Sequence, residues 1–166
     1  MSLTPEWMRM MAQYNAWQNG WMIPAASALS DDARWAGRGA FFGSIHGTLS
    51  HLLWADTLWM SRFDGGDAPE APIERTTQNY PDWDGYVVAR AAMDDRITRW
   101  AGGLSDADLE GTVSFWSGTK GAELTQPKFK TYTHFFNHQT HHRGQVHAML
   151  TAAGASTPDT DLLFME

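Results

Sequence analysis

Apolar positions recur along the chain with a period near 3.6 in four long stretches, the spacing of amphipathic helices. The first opens at Thr4-Pro5-Glu6, a capping residue followed by proline at the first helical position, and carries Met10, Tyr14, Trp17 and Trp21 on one face. Pro24 predicts its end. Ser30 to Gly39 reads as a connection. The second stretch carries Phe42, Ile45, Leu49, Leu52, Trp59 and Phe63 and stops at the turn sequence Asp64-Gly65-Gly66-Asp67. Ala68 to Tyr80 holds Pro69 and Pro72, shows no period and reads as a linker. Pro81 opens the third stretch, with Asp82 and Asp84 in its first turn, where the helix dipole favours acids. Trp83, Tyr86, Met93, Ile97 and Trp100 form its apolar face, and Gly102-Gly103 closes it. The fourth runs from near Pro127 to Ala153, with Gly154 as its stop. Ahead of it, between Gly111 and Thr125, alternating Val113 and Phe115 and the turn-rich Ser117-Gly118-Thr119-Lys120-Gly121 predict a short, irregular hairpin.

Four such helices without a strong strand signal predict an all-α protein, a four-helix bundle with a short hairpin before the last helix. The interior of a bundle is where facing side chains commonly build metal and cofactor sites. The length, 166 residues, fits one domain over 1–166, and 43% hydrophobic residues suffice to fill its core. With 12 Lys+Arg against 19 Asp+Glu the net charge is −7, which argues against nucleic acid and anionic membranes as partners. No cysteine is present, so disulfides, thiolate metal sites and a cysteine nucleophile are excluded together. The amino-terminal sequence lacks a basic region followed by an apolar run, and no apolar run is long enough to span a bilayer, so a cytoplasmic location is expected.

Of seven histidines, five fall between His134 and His147, on the fourth helix. At 100° per residue His138 and His142 lie about 40° apart, one stripe at the edge of the apolar face, and Gln145 lies about 20° to the other side of His138. His134 and His141 lie further toward water, and His147 falls on the far side. Two imidazoles at i and i+4 can point at one ion. A third ligand must come from another helix, and the other histidines, His46 and His51, both stand on the second. The wheel allows either and leans toward His51. Asp56 falls in the middle of the apolar stripe of that helix, where an unpaired carboxylate is costly to bury; Arg143 or a histidine N–H is its expected partner, with an interhelical ion pair unrelated to a metal as the alternative. Arg143 falls away from the ligand pair, which points to a structural contact.

The string His138-x-x-x-His142-Arg143-Gly144-Gln145, with His51-Leu52-Leu53-Trp54-Ala55-Asp56 and Trp59 upstream, resembles the DinB-like (YfiT-like) family of metal-binding four-helix bundles. The likeness extends over nearly the whole chain in helix order and length. It implies that His51, His138 and His142 bind one divalent metal ion, zinc or nickel, and so selects His51 over His46. It also implies a homodimer and a reaction on a small-molecule substrate with a low-molecular-weight thiol, because characterised members include thiol-dependent transferases and isomerases. Three neutral imidazoles leave an open position on the ion, as catalytic rather than sealed sites do. Asp56 is the expected residue orienting the ligands, since ligating histidines usually donate their other N–H; Gln145, on the ligand stripe beyond His142, is expected near the site, bonding a metal-bound water or facing a neighbouring helix. No acid or base beyond the metal is identified, so the catalytic residues are unknown. A metal-dependent transferase, isomerase or hydrolase is the first functional expectation; a non-catalytic metal- or small-ligand-binding dimer is the alternative.

Overall fold

In a computed structural model, which describes residues 3–165, three of the four long helices begin where a side chain satisfies free backbone donors, and the last begins after Pro127 without such a cap. Thr4 accepts from the Trp7 N–H and Pro5 occupies the first turn of α1, Pro5–Ser27. Ser30 caps a short α2, Asp31–Trp35, and Ser44 caps α3, Ile45–Asp64, by accepting from Gly47. Gly65 follows α3 at φ 73°, a left-handed conformation that favours glycine. Asp82 caps α4, Trp83–Gly103, by accepting from Gly85. Strands β1, Thr112–Ser117, and β2, Ala122–Pro127, then pair antiparallel, with Phe115 opposite Leu124, before α5, Lys128–Ala152.

The long helices form a ring in which α1 and α3 each pack against both α4 and α5. This is the all-α bundle with a hairpin before its last helix that the hydrophobic period predicts. Several boundaries differ from the expectation. Pro24 lies inside α1, which continues to Ser27; the carbonyl left without a partner belongs to Gly20, and because both residues are exposed, water can serve it. The connection from Ser30 contains α2, and the linker Ala68–Tyr80 contains a 3-10 segment, Ile73–Gln78, packed on α3. Phe42 stands ahead of α3, because the Gly43 and Ser44 conformations end the loop there and start the helix at Ile45.

Met8, Met22, Leu49, Leu53, Met60, Ile97, Phe135 and Leu150 fill the core. Running through it is a polar network that joins all four long helices. The Asp56 carboxylate, 2% exposed, accepts from Arg90 Nη1 at 2.6 Å and from Gln139 Nε2 at 2.9 Å. Arg90 Nη2 faces Asp94 at 2.8 Å as an ion pair, and Asp94 accepts from Asn15 and Asn19 at 3.2 and 2.8 Å. Arg143 donates to Asn15 and lies over the Tyr14 ring. Burial opposes the charge on Arg90, but Asp94 and Asp56 beside it outweigh this and raise its pKa; burial pushes Arg143 down to about 10, which leaves it charged near neutral pH.

Removing one member of a buried ion pair strands its partner. Asp56→Leu is therefore expected to destabilise the fold by about 3–5 kcal/mol, seen as a lower urea midpoint at constant m-value. An unchanged midpoint would show that the network adds nothing to stability.

Candidate metal centre

His51 stands on α3, and His138 and His142 stand one turn apart on the neighbouring α5. The packing of these two helices brings the three imidazoles together: one nitrogen from each lies within 4.8 Å of the others. His51 Nε2 and His138 Nε2 are 3.3 Å apart, and the His138 and His142 ring centroids 4.5 Å apart. The other nitrogens of His142 and His51 are engaged elsewhere. His142 Nδ1 lies 2.8 Å from Gln145 Oε1, an atom that only accepts, so Nδ1 carries the hydrogen and Nε2 keeps its lone pair. His51 Nδ1 lies 3.1 Å from the Thr76 hydroxyl, in the 3-10 segment. Phe42 stacks on His51 with centroids 3.8 Å apart and touches His142 at 5.2 Å, which covers one side of the cluster.

His51 and His138 also form part of the wall of a cavity of about 510 Å³ between α3, α5 and the hairpin, with Trp54, Leu58, Trp59 and Phe115 as its apolar surface. Burial, with the neighbouring imidazole His142, pushes His51 down to about 4. Burial and the surrounding histidines push His138 down to about 3, and burial also lowers His142. The three rings are thus neutral at physiological pH, the form in which imidazole ligates a metal. The donor set fits a divalent ion: three neutral nitrogen donors, two of them oriented by partners on the opposite ring nitrogen.

The other histidines are placed differently. His46, the alternative that the helical wheel left open, is fully buried away from the cluster, with Nε2 2.6 Å from the Tyr80 carbonyl and its ring stacked on Trp35. His134 lines the cavity edge-on to Trp59. His141 is exposed, and His147 packs on Trp21.

Gln145 meets the His142 ring rather than a neighbouring helix. Asp56 does not bond to Arg143 or to a histidine; its partners are Arg90 and Gln139, because the face of α3 that bears it looks into the centre of the bundle. Its link to the cluster is indirect, since Gln139 follows His138 in the chain. Sequence reasoning missed Thr76, which lies in a stretch without any period, and Phe42, which was assigned to the helix it precedes. Gln139 did carry a signal, for it falls within the apolar arc of its helix, where an amide needs a buried partner.

Fold and site together define a helical bundle carrying a three-histidine cluster that could hold a metal ion. The chain belongs to the DinB family, whose family model matches residues 1–166. It is similar in fold to the crystal structure of a DinB-like protein from Bacillus cereus ATCC 10987, with a TM-score of 0.62, 20% identity, and coverage of 96% of this chain and 99% of that one. No curated protein matches the sequence.

The depressed histidine values set a direction for pH dependence. An imidazole whose folded-state pKa lies below its unfolded value of 6.5 resists protonation when folded, so the unfolded chain binds the extra protons. The stability contributed is full above about pH 6.5 and is lost as pH falls toward about 4 and about 3, the folded values of His51 and His138. In the presence of a chelator, the melting temperature is expected to drop between about pH 7 and about pH 5, and to drop less in His138→Phe. An equal drop in both proteins would contradict the assignment.

Proposed function

We propose that this chain is a metal-dependent enzyme acting on a small molecule, with His51, His138 and His142 holding one divalent ion, zinc or nickel. The observation that carries this reading is the convergence of three neutral imidazoles, two of which, His51 and His138, stand in the wall of a cavity of about 510 Å³ rather than in a closed core. Structural metal sites are usually sealed by four protein ligands, whereas three leave a position for a reactant. A divalent ion in such a site supplies Lewis acidity, lowering the pKa of a water or thiol brought to it.

The chain's own residues divide the remaining work. Gln145 and Thr76 fix the ring orientations, Phe42 keeps solvent from one side, and the aromatic wall of the cavity holds the substrate body beside His51 and His138. Because the chain has no cysteine, a thiol taking part in the reaction must come with a cosubstrate. Thiol-dependent transfer or isomerisation, or hydrolysis, are the reaction classes that the site and the family support. A homodimer located in the cytoplasm is the form in which we expect the protein to work; no helix among the described residues is long and apolar enough to cross a membrane.

Elemental analysis tests the ligand set. Purified wild type should carry one divalent ion per chain, and His51→Ala, His138→Ala and His142→Ala should each lose it; full occupancy in any of the three would defeat the assignment. Gln145→Leu should retain the ion with affinity reduced roughly 10–100-fold, as for other residues that orient a ligating histidine. In the cobalt-substituted protein, a change in the visible spectrum on adding a thiol supports the enzyme reading. Tight cobalt binding without such a response favours a protein that only binds metal.

A further inference from the structure

The cavity beside the histidines has a second polar end. Arg62, eleven residues beyond His51 on α3, extends its guanidinium between two rings, 4.6 Å from the Trp59 centroid and 4.3 Å from that of Phe115, and Nη2 donates to the Trp116 carbonyl at 3.0 Å. Helix and hairpin thus fix the group from opposite sides. Among the described residues no carboxylate lies within ion-pairing distance of it. Asp108, which shares the neighbouring hollow with Arg62, is already bonded to Ser105.

In a chain with 19 acidic and 12 basic residues, the wall of this cavity bears Arg62, Lys120 and Lys130 and neither Asp nor Glu. The strand register explains the absence. Phe115 and Leu124 face the cavity, and Glu123, opposite Trp116, falls on the other face of the hairpin. The local field is therefore opposite in sign to that of the chain, which is the condition for drawing an anion into a low-dielectric cleft.

We propose that Arg62 is the anion-recognition residue of this cavity and that the ligand is a small carboxylate with an apolar body, its carboxylate on the Arg62 guanidinium and its other end toward His51 and His138. This rests on the cavity being the ligand site of the function proposed above. A guanidinium held by flanking rings presents its remaining N–H donors in a fixed fork that suits a carboxylate, and little side-chain freedom is left to lose on binding. His51 and Arg62 are separated by about 16 Å along the helix axis. Helical side chains lean toward the amino terminus, so Arg62 reaches back along the cavity and leaves on the order of 10 Å to span. An aromatic ring with a short chain has that length, and Trp54, Leu58 and Trp59 supply the apolar wall between the two ends.

Phenylbutyrate and its neutral counterpart phenylbutyramide test this by calorimetric titration of the full-length protein. Wild type should bind the acid about tenfold more tightly than the amide, the usual gain from a charged hydrogen-bonded pair. Arg62→Gln should bring the two within about twofold while leaving the amide affinity unchanged, and Arg62→Lys should fall between, because it keeps the charge and loses the fork. The preference should persist in His138→Ala. Equal binding of acid and amide by wild type, or binding of neither, overturns the proposal without need of a variant. A preference that survives in Arg62→Gln and vanishes in His138→Ala overturns it too, by assigning the carboxylate to the histidine cluster. Metal content measured on the same samples keeps this test separate from that of the proposed function: a wild type that holds no metal and still prefers the acid supports the role of Arg62 while removing the metal-dependent enzyme.

Discussion

The Asp56–Arg90 pair is the constraint on which the arrangement of the bundle depends. A carboxylate and a guanidinium taken out of water lose several kcal/mol of hydration each, on the order of what a whole domain has in net stability, unless their geometry and remaining hydrogen bonds compensate. Here the compensation comes from every long helix: Asn15 and Asn19 from α1, Asp56 from α3, Arg90 and Asp94 from α4, Gln139 and Arg143 from α5. Two acids and two guanidinium groups balance in sign. A hydrophobic contact tolerates a small slide of one helix along another, whereas hydrogen bonds weaken steeply with distance and angle. The network therefore fixes the register of the helices in a way that apolar packing alone would not.

That register places the histidines. Asp56 lies five residues beyond His51 on α3, and its partner Gln139 follows His138 on α5. Shifting α5 by one residue would turn Gln139 away from the carboxylate and, in the same movement, carry His138 and His142 out of reach of His51. Asp56 thus influences the candidate metal centre from the core without touching an imidazole.

Much of this was legible in the sequence, and the rest was hidden for identifiable reasons. The helix start at Thr4 is local, because a cap depends on the few residues around it, whereas the caps Ser44 and Asp82 lie a residue or two past the starts that Phe42 and Pro81 suggest. The i, i+4 pair His138 and His142 and the buried position of Asp56 follow from the helical period alone. The partner of Asp56 does not, since a wheel says which face is buried and is silent on which neighbour meets it. Arg90 nonetheless stands four residues after Tyr86 and three before Met93, on the apolar stripe of its own helix. A lone cation on one stripe and a lone anion on another were a readable sign of pairing between helices. Thr76 and the cavity wall formed by the hairpin had no such sign. Their positions come from tertiary contact, and neither a non-periodic linker nor a two-stranded ribbon states in its own sequence what it will pack against.

The two polar clusters of the bundle differ in how far their groups satisfy one another, and that difference separates stability from function. In the central network, acids face guanidinium and amide donors, so the charges are matched within the protein. Among the histidines, Gln145 and Thr76 take up Nδ1 of His142 and His51, and Nε2 of His51 and His138 approach to 3.3 Å. Burial holds both rings neutral near neutral pH, so the cluster presents nitrogen donors and no charge of its own. A cluster of this kind is complementary to a cation supplied from outside. Two of its rings stand in the cavity wall, where an ion can reach them, while the charge-matched network stays in the core and holds the helices that present them.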